Sequence, residues 1–168
     1  MENIIAHSME KLHKEFEAAD QFFLDSEMKD LGSYEKQLME VAKRVVAEYM
    51  GAFCSDLDQM LCEDIFRTEK YTVQRHDSRQ LVTTAGVVNF THTLFKSRED
   101  GSHHYLLDEW MGVDAHERLS EEAETAVVTE AINTSYAHAA KVLGEDVRIS
   151  KTAVMNKIHA LREELPFQ

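Results

Sequence analysis

The apolar residues of this chain keep a helical period on both sides of one interval, residues 79–106, where they alternate instead. A change of period from about 3.6 to 2 marks a change from helix to strand. It restricts the chain to a mixed fold with one small sheet between helical segments. Within the interval, Gln80–Thr84 is β-branched and Ala85-Gly86 can turn the chain. Val88, Phe90 and Leu94 then fall on one side of a second strand, with Asn89, Thr91 and Thr93 on the other. The run Lys96–Gly101 reads as a hairpin loop, and Ser102–Leu106 as a third strand. The expectation is a three-stranded antiparallel meander packed on helices, since an isolated hairpin is marginal in water.

The first 64 residues predict two long amphipathic helices. Ile4, Ile5, Met9, Leu12 and Phe16 recur at helical spacing over 1–30, and Leu31-Gly32-Ser33 reads as a break. A second helix is expected from Ser33 to about Glu63, interrupted in pattern only by Gly51. Its apolar positions, Leu38, Val41, Val45, Tyr49, Phe53, Leu57 and Leu61, follow a near-heptad spacing, so the two helices should pack together or against a second subunit. Residues 65–78 are polar and read as a connection, with a short strand around Tyr71–Val73.

After the sheet, Leu106–Gly112 leaves it and three helices follow. Ser120 is placed as an N-cap, with Glu121 and Glu122 favouring the first turn, and the helix Glu122–Ile132 should bury Ala126, Val127 and Ala131. Ser135–Leu143 and Ser150 to about Leu161 form a helical hairpin, with Gly144 as a left-handed cap and Ser150 as the next N-cap. Ala139, Leu143, Ile149, Val154, Ile158 and Leu161 are spaced to share one small core. This is the pattern of a helix-turn-helix, whose second helix enters the DNA major groove; an αα-corner that only packs has the same spacing.

Charge separates the two ends. The chain carries a net −13, and residues 1–64 hold fifteen acids against six bases. Residues 147–162 hold Arg148, Lys151, Lys157 and Arg162 and no acid. A net negative chain does not coat nucleic acid indiscriminately, yet this local reversal suits a DNA face. Lys151, Thr152, Met155 and Asn156 would face bases, and Asn156 can read adenine with two hydrogen bonds. Arg148, Lys157 and Arg162, with the Ser150 hydroxyl, would hold phosphates.

Cys54 and Cys62 read as reduced, buried thiols rather than a disulfide or metal site. His103-His104 point to opposite faces of a strand, and His76, His92 and His116 lack metal-type spacing, so no metal is expected. No nucleophile elbow, phosphate loop or dinucleotide fingerprint is present, so no catalytic centre can be named. No apolar run reaches the length of a membrane span and the N-terminus lacks signal-peptide architecture, which points to the cytoplasm.

From Tyr71 onward the chain resembles the N-terminal region of the ISLre-type bacterial insertion-sequence transposases. The matching residues are Arg75 and Arg79; Thr83–Phe90; Gly101 with Tyr105–Asp108 and Gly112; Glu117–Ser120; Ser135-Tyr136; and Ile149–Ile158. The resemblance implies double-stranded DNA as partner, specifically the terminal repeats of an element, and a homo-oligomer or full-length transposase as protein partner. It implies a binding and assembly segment without catalytic residues, because the Mg²⁺-dependent core of that family lies beyond the matched region. The family has Arg where this chain has His92. If that Arg touches a phosphate, His92 weakens the contact at neutral pH. An alternative role is a helical oligomerisation protein that modulates full-length transposase.

The expected fold class is therefore α+β, mainly α. Residues 1–64 form an acidic helical hairpin, 65–112 an antiparallel meander, and 113–168 a three-helix helix-turn-helix unit.

Overall fold

The computed structural model describes residues 2–27, 29–139 and positions 141, 143, 150, 152, 154–156 and 158. It is a mixed α+β chain dominated by helix, with one three-stranded sheet. Contacts divide the chain into two compact units: residues 1–80 with 88–116, and residues 81–87 with 117–168.

In the first unit, α1 (Glu2–Asp25) and α2 (Leu31–Glu63) lie antiparallel. Lys11 pairs with Glu48, Glu15 with Arg44, and the Tyr34 hydroxyl donates to Asp20, so residue numbers rise on one helix as they fall on the other. Ala19, Val41 and Val45 are buried, whereas Ile5 and Met9 stand exposed. Part of the near-heptad seam is thus consumed inside the chain.

The break between the helices falls earlier than the sequence suggested. Asp30, not Ser33, caps α2, its carboxylate accepting from the N–H groups of Gly32 at 3.1 Å and Ser33 at 3.2 Å. Two backbone donors satisfied by one carboxylate offset the roughly 1 kcal/mol that glycine costs a helix, so Leu31-Gly32-Ser33 becomes the first turn. The last carbonyls of α1, at Phe23 and Leu24, accept from the Lys29 ammonium, a cation at the negative end of the helix dipole.

The segment 65–78 is more than a connection, and the strand expected around Tyr71–Val73 is the start of a longer one. The segment holds α3 (Ile65–Lys70), capped by Asp64, and the first half of β1 (Tyr71–Thr83). The first half of β1 hides from a periodicity search because Val73–His76 are all exposed, on a strand at the edge of the three-stranded sheet.

Strand β2 (Gly86–Ser97) is central, and β3 (His103–Tyr105) pairs antiparallel with it through Leu94 to Tyr105, Phe95 to His104 and Lys96 to His103. β3 is short, so the preceding stretch of β2 lacks a strand on that side. Helix α2 fills the place. The Thr91 N–H donates to Ser55 Oγ at 3.1 Å and the Thr93 N–H to Asp58 Oδ1 at 2.8 Å. One turn earlier, Gly51 meets Asn89: a Cβ there would lie 2.3 Å from the Asn89 carbonyl oxygen. Gly51, Ser55 and Asp58 are one face of α2, and its small and accepting groups meet Asn89, Thr91 and Thr93 in step. This helix covers an open strand edge and satisfies its donors. It also explains why the β2 alternation fails at Thr93, which is fully buried although Asn89 and Thr91 on its side are exposed.

The sheet then leads into α4 (Leu106–Met111), which Gly112 ends in the left-handed conformation at φ 68°. The run Leu106–Gly112, expected to leave the sheet, is this short helix with its glycine cap.

In the second unit, Val82 forms a parallel bridge with Leu119, with its N–H on the Arg118 carbonyl at 2.9 Å and its carbonyl on the Ser120 N–H at 2.8 Å. Ser120 caps α5 (Glu121–Asn133), as expected, by accepting from the Ala123 N–H at 3.2 Å. Its buried stripe is Ala123, Val127 and Ala131, spaced i, i+4, i+8. Ala126, assigned to that stripe from the sequence, is only half-buried. Helix α6 (Tyr136–Ala139) follows, with Lys141 and Leu143 in turn conformation.

Candidate nucleic-acid interface

Beyond α6, Thr152, Val154, Met155, Asn156 and Ile158 are helical. The Val154 N–H bonds the Ser150 carbonyl at 3.2 Å, which places Ser150 at the start of that turn. Val154 is 1% exposed and joins Val127 and Ala131 of α5 and Ala139 of α6 in one core, with Leu143 and Ile158 packed against it. This small core contains most of the residues assigned to it from spacing. Ile149 and Leu161 lie outside the described residues.

Burial sorts the helical residues by face. Thr152 and Asn156, four apart, are exposed. Val154 and Ile158, also four apart, point to the core, and Met155 sits half-buried at the boundary. Residues four apart share a helix face, so Thr152 and Asn156 form one outward pair opposite the packed side. Ser150 is exposed at the leading end. Of the eight residues expected on DNA, Arg148, Lys151, Lys157 and Arg162 lie outside the described residues. The four described ones, Ser150, Thr152, Met155 and Asn156, carry hydroxyl, amide and thioether groups and no charge.

A second group of polar side chains meets in the first unit, and it is built differently. Arg79 of β1 and His92 of β2 both engage Asp108 of α4; His92 Nδ1 lies 2.8 Å from Asp108 Oδ2 and Arg79 Nη1 donates to the same oxygen. All three are buried. Arg79 Nη2 donates to the Asp114 carbonyl at 2.6 Å. The His92 ring stacks on Tyr105 at 4.1 Å, and the Tyr105 hydroxyl donates to Asp77 at 2.6 Å, where Arg75 also pairs at 2.7 Å. Hydrogen bonds from Tyr105 and then Arg75 hold the Asp77 carboxyl below its usual range, while burial, then Asp77, pushes the Tyr105 phenol up.

This network ties two strands, the end of β3 and α4 together. Its cations are spent on its own carboxylates, so it offers phosphate no free charge. His92, at the position where the resemblance places an Arg, is 8% exposed and faces Asp108. Sequence reasoning found Arg75, Arg79, Tyr105 and Asp108 only through resemblance. No spacing rule links residues 79, 92 and 108, which the meander brings together.

The family model described as "Uncharacterised protein family (UPF0236)" matches residues 24–165. The chain belongs to the UPF0236 family. A UPF0236 protein of Caldanaerobacter subterraneus subsp. tengcongensis is 32% identical over 127 residues, covering 76% of this chain and 27% of that protein. Two further UPF0236 proteins of that organism are 31% and 30% identical, each with 76% of this chain and 27% of the relative covered. The matched region thus spans about a quarter of the length of these UPF0236 relatives. One of them carries eleven locus names and another four. No solved structure matches the chain. The UPF0236 match takes in α2, the sheet, the buried network and the outward pair Thr152 and Asn156 alike. No helix among the described residues is long and apolar enough to cross a membrane.

Proposed function

We propose that this chain is the DNA-binding segment of an insertion-element transposase and recognises the terminal repeats of its element in the cytoplasm, through a helix-turn-helix. The observation that carries the reading is the outward pair Thr152 and Asn156 on a helix whose opposite face is packed by Val154 and Ile158, within the acid-free basic run 147–162. A recognition helix needs both faces: one anchored on supporting helices, the other presenting short polar side chains to base edges. Asn156 supplies the adenine-reading amide, Thr152 a hydroxyl or methyl contact, and Ser150 a phosphate contact at the helix start. Arg148, Lys157 and Arg162 supply the phosphate charge in this reading, and Lys151 and Met155 flank the bases. The locus names support the genomic context. One protein at eleven loci in one genome is what an element that copies itself produces. The segment carries no assigned catalytic residue, and Mg²⁺ chemistry belongs to a core outside it.

The test is binding of the purified chain to a duplex drawn from the ends of the repeated locus, measured by fluorescence anisotropy against a scrambled duplex. Asn156→Ala should relax discrimination by about 1–3 kcal/mol at one position. Equal affinity for both duplexes rejects the reading.

A second reading, a helical oligomerisation or regulatory segment for full-length transposase, is favoured by one observation. Met39, Val46 and Met50 are exposed along α2, and Ile5 and Met9 along α1. Light scattering at micromolar concentration separates the two: a monomer removes this reading and leaves the first untouched.

A further inference from the structure

Three groups that chelate soft and borderline metals converge in the first unit. Asp58 and Cys62 are four apart on α2 and therefore share a face. His76 reaches them from β1. One ligand atom from each lies within 4.8 Å of the other two. Nothing in the sequence reveals this, because His76 stands fourteen residues beyond Cys62, across a helix and into a strand.

The centre of the group is the Thr93 side chain, which is fully buried. Its hydroxyl donates to Asp58 Oδ2 at 2.6 Å and lies 2.7 Å from His76 Nδ1 and 3.3 Å from Cys62 Sγ. With the Thr93 N–H on Asp58 Oδ1 at 2.8 Å, both carboxylate oxygens have one donor each. A carboxylate offers about four acceptor positions, so a lone pair on each oxygen is still available. Metal-ligating carboxylates are oriented by such donors.

Charge is the second observation. Asp58 is 2% exposed, and the donors described on it are the Thr93 N–H and hydroxyl, both neutral. A buried carboxylate held only by neutral donors leaves its charge uncompensated. A bound cation would supply what is missing. Burial above all pushes the Cys62 thiol up, with the Asp58 charge adding to it, while the Thr93 hydrogen bond and the Arg67 charge act the other way.

We propose that Asp58, Cys62 and His76 bind one zinc-class divalent cation, with a fourth position left to water. Sulfur, imidazole and carboxylate in one set select Zn²⁺ over Mg²⁺ or Ca²⁺. Tetrahedral zinc needs ligand atoms about 3.3–3.8 Å apart, given bonds of about 2.0–2.3 Å. The set must therefore contract by about 1 Å at its widest. His76 is exposed and on an edge strand, so its ring can swing in without disturbing the core. On binding, the thiol gives its proton to solvent, and the Thr93 hydroxyl keeps its bond to Asp58 while releasing the sulfur and the ring. The ion pins the C-terminal part of α2 to β1, adding a staple beside the one helix-to-strand seam already described.

The experiment titrates the chelator-stripped chain with Co²⁺, whose thiolate complex shows a charge-transfer absorption, then competes it off with Zn²⁺. One equivalent should produce the band. Cys62→Ser should abolish it, Cys54→Ser should leave it intact, and His76→Ala should weaken affinity at least tenfold. His76 is at the surface, so that variant keeps the fold, which circular dichroism verifies. No band in the wild-type chain, a band that survives Cys62→Ser, or affinity unchanged by His76→Ala overturns the site. The group is then a closed hydrogen-bond network around Thr93.

Discussion

Replacing Gly51 by alanine tests how α2 meets the sheet. A Cβ at that position would sit 2.3 Å from the Asn89 carbonyl oxygen, 3.3 Å from its carbonyl carbon and 3.5 Å from its nitrogen. All three are backbone atoms, so no side chain can rotate away. Helix and strand must separate by about 1 Å, and the same movement stretches the Ser55–Thr91 and Asp58–Thr93 bonds that follow along the seam. Overpacking of this kind costs about 1–3 kcal/mol. Weakening two hydrogen bonds adds about 0.5–1.5 kcal/mol each. Alanine returns about 1 kcal/mol through helix propensity. The net is a loss of about 1–5 kcal/mol, or a fall in Tm of about 2–20 °C at about 2–4 °C per kcal/mol for a chain of this size. Urea denaturation followed by circular dichroism measures it. Gly32→Ala is the control: its Cβ meets only Asp30 Oδ1 at 3.6 Å, on an exposed first turn, so it should be neutral or stabilising. If Gly51→Ala matches the control, α2 does not lie against the β2 edge, and the account of that edge is wrong.

Other perturbations probe the remaining seams. Asp108→Asn leaves Arg79 and His92 without their shared carboxylate in a buried site and should cost about 3–5 kcal/mol in the same assay, while an unchanged midpoint would mean the network carries no stability. Asp77 has its carboxyl lowered in the folded chain, so its contribution is present above the ordinary Asp range, about 4, and is lost as pH falls through the lower folded value. Asp77→Asn should flatten the acid limb of the urea midpoint against pH; an identical limb rejects the Tyr105 and Arg75 contacts. In the second unit, Val154→Ala should destabilise by about 1–3 kcal/mol, whereas Thr152→Ala should leave stability unchanged and lower DNA affinity. The reverse ranking would invert the assigned faces.

The sequence and the structure agree where a single element decides the pattern. The long amphipathic helices, the meander and the Ser120 cap follow from period and capping chemistry local to each segment. The disagreements arise where a partner decides. Asp30 captures the start of α2 because its carboxylate reaches two N–H groups, overriding the glycine that suggested a break. The first half of β1 is polar because it lies at the sheet's edge with Val73–His76 exposed, and such a stretch carries no alternation. Thr93 is buried on the side of β2 that faces solvent two residues earlier, because Asp58 arrives there from another element. The packed side of the last described helical stretch, Val154 and Ile158, is legible from helical spacing alone. The Asp58, Cys62 and His76 group and the Asp108 network are not, since both assemble from segments that only the tertiary fold brings together.

Charge segregation gives the DNA reading a quantitative consequence that also reports the oligomeric state. Fifteen acids among residues 1–64 cannot neutralise phosphate, so salt dependence must come from the local bases. If Arg148, Lys157 and Arg162 each hold one phosphate and Lys151 faces a base, the slope of log K against log salt should be about −2.7 for one chain, at about −0.9 per phosphate on duplex DNA. Two chains bound to paired repeats would double it to about −5.4. The slope from anisotropy titrations at several salt concentrations therefore separates a lone reader from a dimer assembled through the exposed face of α1 and α2. Arg162→Ala should reduce it by about 0.9 per chain without altering the preference for the correct duplex. A slope near zero contradicts phosphate contacts by these bases, and a slope unaffected by Arg162→Ala places the contact elsewhere.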